Sequence, residues 1–156
     1  GKSGAEVADA EDLRITGDLT MAIWVRKTAE ADEWACIFGK GAGGERSYAI
    51  WAEPRSGRWM YQQYGAVVDV LSEKTVEVGR WTHLAVTIEQ NLVKVYHNGA
   101  LEAQKSRPGA PSVGNGPLGF GFAIDHSGLI GAVDDARLYR RALDAGEVRA
   151  LAELRK

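Results

Sequence analysis

The side chains best placed to do chemistry in this chain are a cluster of aromatics and the polar residues between them. The run YAIWAEPRSGRWMYQQYG, residues 48–65, holds Tyr48, Trp51, Trp59, Tyr61 and Tyr64, with Glu53, Arg58, Gln62 and Gln63 among them and Arg46 just ahead. Flat rings give contact area at little entropic cost. They suit the apolar side of a sugar ring, while neighbouring amides and guanidinium groups hydrogen-bond its hydroxyls. Acid/base hydrolysis of a glycoside would instead need two carboxylates roughly 5 to 10 Å apart. The candidates are Glu6, Asp9, Glu11 and Asp12 in EVADAEDL, and Asp134 with Asp135 in VDDARLY. The first group sits at the N-terminal end of the chain. The second pair points to opposite faces of a strand unless a bulge intervenes. Neither makes a convincing pair, and the chain contains no GxSxG run for a nucleophilic serine.

The three histidines have plainer expected roles. His83 and His97 lie in GRWTHLAVTIEQNLVKVYHNGAL, residues 79–101. There His83 is expected to bond within the scaffold and His97 to be a solvated edge residue. His126, in the loop AIDHSG, is the histidine best placed to meet a ligand.

These residues need elements to position them. In Leu19–Lys27, LTMAIWVRK, Leu19, Met21, Ile23 and Val25 share one face of a strand. ACIFGK and RSYAIWAE read as the next strands, split by the Gly-rich GKGAGGE. GRWMYQQY, AVVDVLS, WTHLAVTIE and LVKVYHN follow, then LGFGFAI and LIGAVDDARLYR. Alternation puts Trp59, Tyr61 and Gln63 on one face and Met60, Gln62 and Tyr64 on the other. HNGA supplies an Asn-Gly hairpin turn with positive φ at both central residues. The run QKSRPGAPSVGNGP carries three of the four prolines and predicts a long irregular loop. Only LDAGEVRALAELRK reads as helix, with Asp144 as N-cap, Glu147 three residues on, and Val148, Leu151 and Ala152 on one face. Short strands at this spacing predict an all-β, two-sheet antiparallel sandwich with a short C-terminal helix.

The bulk numbers set limits. The 156 residues suit one domain, residues 1–156, and 45% are hydrophobic. Nineteen Lys and Arg against twenty-one Asp and Glu leave a formal charge of −2, which gives no electrostatic case for nucleic acid. No apolar run is long enough for a membrane span. Cys36 stands alone among apolar neighbours and is expected to be a buried thiol. The start GKSGAEVADAEDL lacks an initiator Met, so the chain is expected to be a piece of a larger protein.

Four motifs in order then resemble the laminin-G-like jelly rolls of the concanavalin A-like lectin/glucanase superfamily. LTMAIWVRK and CIFGKG are similar to two of that family's strands. Trp81, His83, Ala85, Val86, Thr87, Tyr96, Asn98 and Gly99 match its central signature. Gly131, Val133, Asp134, Asp135, Arg137, Leu138, Tyr139, Arg141, Ala142 and Leu143 match its closing one. The Glu-x-Asp-x-x-Glu run of the sandwich glucanases and the signatures of the fold's lyases are missing. The resemblance implies a non-catalytic carbohydrate-binding module, secreted or on the cell surface, with a polysaccharide or glycan and neighbouring domains as partners. The alternatives are a protein-interaction or spacer domain and, more remotely, a lyase or hydrolase. The candidate binding residues are Arg46, Trp51, Trp59, Tyr61, Gln62, Tyr64, Asp125 and His126. The family's pattern turns Trp59 and Tyr61 inward, which makes Trp51, Gln62 and Tyr64 the better surface residues. The resemblance also implies one structural Ca²⁺, for which Asp134 and Asp9 are the expected ligands; the alternative is that Asp134 and Asp135 cap backbone groups or pair with Arg137 and Arg140.

Overall fold

The computed structural model describes residues 4–123 and 125–154. Its strands form two sheets that face each other. One has the order β1 (Ala5–Val7), β10 (Leu118–Phe120), β3 (Ala35–Lys40), β4 (Tyr48–Ala52), β5 (Arg58–Gln63), β6 (Val68–Thr75), with β11 (Ser127–Gly128) also on β3. The other runs β12 (Gly131–Tyr139), β2 (Leu19–Lys27), β7 (Thr82–Glu89), β8 (Leu92–His97), β9 (Ala100–Ser106). All pairings are antiparallel except β11 on β3. The expected antiparallel sandwich of jelly-roll type is the fold observed. Ile124, the end of the expected strand LGFGFAI, lies outside the described residues.

Alternation builds the core. Leu19, Met21, Ile23 and Val25 face Ile50, Trp59, Tyr61 and Val70 across the gap, joined by Leu84, Val86, Ile88, Val93 and Val95. Trp59 and Tyr61 are wholly buried there. This corrects their place among the candidate binding residues. Their faces of β5 point between the sheets, where two large rings fill volume that smaller side chains would leave open. His97 also departs from expectation. It is half-buried, and its Nδ1 accepts a hydrogen bond from Trp59 Nε1 at 3.2 Å. An indole buried in a core needs an acceptor, and the end of β8 brings one.

The Asn98-Gly99 turn takes φ values of 51° and 82°, the positive pair expected. Asn98 also closes on the neighbouring strand β7: its Oδ1 accepts from the His83 amide at 2.9 Å. The strand after this turn runs to Ser106, so the irregular loop begins later than the sequence suggests. β1 and β10 were not anticipated as a pair.

α1 (Ala145–Glu153) starts with the expected capping box, Asp144 and Glu147 each bonding the other's backbone N–H. It lays Val148 against Ala22, Ala85, Tyr96 and Leu143 on the outer face of the five-stranded sheet.

Candidate functional site

The outer face of the seven-stranded sheet carries the second hydrophobic layer. Directly opposed residues on an antiparallel ladder share a face. Cys36 opposes Trp51, and Trp51 opposes Met60. Ala49 opposes Gln62, and Gln62 opposes Asp69. These pairs set a row of outward side chains across β3, β4, β5 and β6. Cys36, Ala49, Trp51 and Ala123 pack into a small buried cluster, with Trp34 and Met60 against it. Above it opens a cleft of about 350 Å³ lined by Trp34, Trp51, Met60, Gln62, Tyr64, Asp69 and His126. That volume is at the lower end for ligand sites.

Two loops make the walls. The guanidinium of Arg46 lies 4.8 Å from the Trp51 ring centre and 5.4 Å from that of Tyr64. Its Nη2 donates to Asp125 Oδ1. The other oxygen of Asp125 accepts from the Gly43 amide at 2.7 Å. Gly43 has a φ of 55°, a backbone turn that favours glycine. Asp125 thus ties the turn after β3 to the loop after β10. Burial raises the Asp125 carboxyl, but Gly43, His126 and Arg46 together outweigh it and hold the group below its ordinary value. The His126 ring lies 4.9 Å from Trp51 at an interplanar angle of 60°. The Tyr64 hydroxyl donates to Gln62 Oε1, which fixes both side chains at the lip.

Trp51 is only 2% exposed. It was expected as an exposed platform; Arg46 and His126 cover it and make it a floor instead. Its buried Nε1 has no acceptor within the protein. A buried N–H without a partner is costly and uncommon, and here it belongs to a residue that lines a cleft. Beneath it, burial pushes the Cys36 thiol up to about 12, which leaves it an inert packing group.

Six of the eight expected binding residues therefore meet in one place: Arg46, Trp51, Gln62, Tyr64, Asp125 and His126. Trp34, Met60 and Asp69 complete the lining without having been anticipated. Strand parity could have found Trp34, which is two residues before Cys36, and Asp69, which is opposite Gln62.

The two expected calcium ligands are engaged separately. Asp9 is held by Arg14 and by Lys40 Nζ at 2.6 Å, and hydrogen bonds from these two cations lower its carboxyl to about 2. Asp134 lies on the other sheet, opposite Trp24, where its Oδ1 accepts from the Asp135 amide at 2.8 Å. Asp135, at a φ of 48° in a bulge, pairs with Arg137 at 3.0 Å. Among the described residues, no group of three or more His, Cys, Asp and Glu could hold a metal ion. His83 is buried against Trp24, ring centres 5.2 Å apart, and burial lowers its imidazole to about 4. It lies in the scaffold, but its buried Nδ1 has no hydrogen-bond partner there.

Comparison with known proteins bears on the whole chain. Residues 1–149 match the laminin G family model described as "Concanavalin A-like lectin/glucanases superfamily". No curated protein matches the sequence. Among solved structures, domain 4 of AbnA, a GH43 extracellular arabinanase from Geobacillus stearothermophilus in complex with arabinotriose, superposes with a TM-score of 0.77 at 23% identity, covering 96% of this chain and 72% of that one. The CBM40 of the Ruminococcus gnavus IT-sialidase bound to α2,3 sialyllactose gives 0.75 at 15%, covering 97% of each. The binding domain of Paraclostridial Mosquitocidal Protein 1 gives 0.75 at 18%, covering 94% of this chain but only 40% of that one. At these identities the likeness is one of fold.

Proposed function

This chain belongs to the concanavalin A-like lectin/glucanases superfamily, and we propose that within it the chain is a non-catalytic carbohydrate-binding module. One observation carries the reading. The cleft on the outer face of the seven-stranded sheet combines half-buried Trp34 and Tyr64 with the Trp51 floor, and sets Gln62 and Asp69 beside them. Aromatic surface supplies contact to sugar C–H faces, and the amide and the carboxylate offer hydroxyl partners. The small volume suits a short stretch of glycan. Affinity is then modest, and avidity with neighbouring domains of a longer protein raises it. Solved neighbours that carry arabinotriose and sialyllactose support the ligand class. An extracellular setting, like that of the arabinanase, belongs to the same proposal.

Catalysis is not part of the proposal. Asp125 is tied to Arg46 and Gly43 and held below the ordinary carboxylate range, the opposite of what a general acid needs. Affinity electrophoresis through polysaccharide-loaded gels tests the reading. Retardation by at least one glycan, with no new reducing ends after prolonged incubation, is the expected result. Unretarded migration in every gel would leave the domain a spacer or protein-binding unit, and released reducing ends would make it an enzyme.

A further inference from the structure

We infer that the cleft takes neutral sugars and rejects uronate- and sialate-bearing ones, with Asp69 as the residue that sets the choice. The inference rests on the glycan-binding reading above and sharpens its ligand class.

The argument is one of charge placement. Among the described residues that line the cleft, none is Lys or Arg, and one is an exposed carboxylate, Asp69. Arg46 is near, yet its charge is already used. Its side chain is 3% exposed, stacked between Trp51 and Tyr64, and its Nη2 is bonded to Asp125. Its Nε has no partner in the protein, but an anionic sugar that drew the guanidinium into the cleft would separate it from Asp125. His126 Nδ1 lies 3.3 Å from the same Asp125 oxygen, so a proton on that ring is matched within the protein. Lys105 reaches the strand of Asp69 from the facing sheet, but its Nζ donates to the Asp69 backbone carbonyl at 3.4 Å and does not line the cleft. Glu33, next to Trp34 in the chain and outside the lining, accepts from Ser127 Oγ at 2.8 Å, so the charge it adds nearby is also negative.

A sugar carboxylate entering this site therefore meets like charge and no Lys or Arg among the residues that line it. Discrimination of this kind comes from an unfavourable contact built against the wrong ligand. Neutral hydroxyls face no such penalty. They find acceptors in Asp69 and Gln62. Two like charges about 4 Å apart in bulk water weaken binding by about fivefold, and by more where the cleft excludes water.

The test uses matched pairs at pH 8, where histidine is ordinarily neutral. Lactose is set against 3′-sialyllactose, and methyl-esterified against de-esterified polygalacturonan, within a panel of neutral arabinans, galactans, xylans and glucans. Calorimetry is run on the wild-type chain and on Asp69→Asn. The expected result is binding confined to neutral glycans, or at least fivefold weaker for the acidic member of any pair that binds. Asp69→Asn then narrows that ratio by threefold or more, and added salt narrows the wild-type ratio too. An acidic glycan bound as tightly as its neutral partner overturns the inference and leaves the glycan reading standing. An unchanged ratio in Asp69→Asn overturns the role of Asp69. No binding anywhere in the panel removes the glycan reading and this inference together.

Discussion

Asp125→Ala is the perturbation that probes the cleft's construction most severely. In the wild-type chain one carboxylate serves Arg46, the Gly43 amide and His126. Removing it leaves the Arg46 guanidinium buried between two aromatic rings with no counter-charge. Breaking a fully buried pair costs about 3 to 5 kcal/mol. The Asp125 side chain is 29% exposed, so water softens the loss, and about 2 kcal/mol is the expected destabilisation. For a domain of this size that corresponds to a fall in Tm of roughly 4 to 8 °C. Urea denaturation of the variant measures it directly. The double variant Arg46→Met with Asp125→Ala removes the stranded charge and recovers at least half of the loss, because the penalty belongs to an unpaired buried cation and not to missing contacts. Glycan affinity falls at least tenfold in both, since the loop after β10 is no longer tied to the turn after β3. A single variant within about 0.5 kcal/mol of wild type would refute the reasoning, as would a double variant no more stable than the single.

Three further outcomes follow from the scaffold. Trp59→Ala costs about 3 to 5 kcal/mol by denaturant titration and, wherever the chain stays folded, leaves glycan retardation intact, because Trp59 lies between the sheets. Asp144→Ala costs about 1 kcal/mol through loss of the capping box and shows as faster amide exchange in α1. Stability also falls with acid. His83 takes a proton at about 4 in the folded chain against an ordinary 6.5, so the unfolded chain is protonated first. Its contribution is complete above about pH 6.5 and is lost as pH drops towards 4, about 3 kcal/mol in all. His97, lowered by burial, acts in the same direction. Denaturation midpoints measured from pH 7.5 to 4 give the slope, and His83→Asn flattens it; a slope unchanged in that variant would assign the loss elsewhere.

The scaffold was legible because local rules govern it. Leu84, Val86 and Ile88 alternate, Asn98-Gly99 demands its turn, and Asp144 with Glu147 announces a helix. The cleft was legible in part for the same reason, since parity separates Gln62 and Tyr64 from Trp59 and Tyr61. Parity does not say how deep an outward residue lies. Every residue of β4 is buried, because Arg46 and the loop after β10 fold over its outer face, and that contact joins residues 79 apart in the chain. Trp34 and Asp69 were missed for a related reason. The place of Asp69 depends on which strands lie side by side, and that of Trp34 on the packing of the segment just before β3 against the outer cluster. The calcium expectation came from the resemblance alone, and the resemblance could not foresee that Lys40 and Arg14 would occupy Asp9.

The five tryptophans give the most direct measurement of the central claim. Each contributes one indole N–H signal in a ¹H–¹⁵N spectrum, and they divide by location. Trp34 and Trp51 line the cleft, Trp59 lies in the core, and Trp24 and Trp81 sit by the five-stranded sheet. Titration with a glycan that retards the chain should shift the Trp34 and Trp51 signals in a saturable way, while Trp24, Trp59 and Trp81 stay in place. Saturable shifts confined to Trp24 and Trp81, or binding that moves none of the five, would contradict the assignment of the cleft.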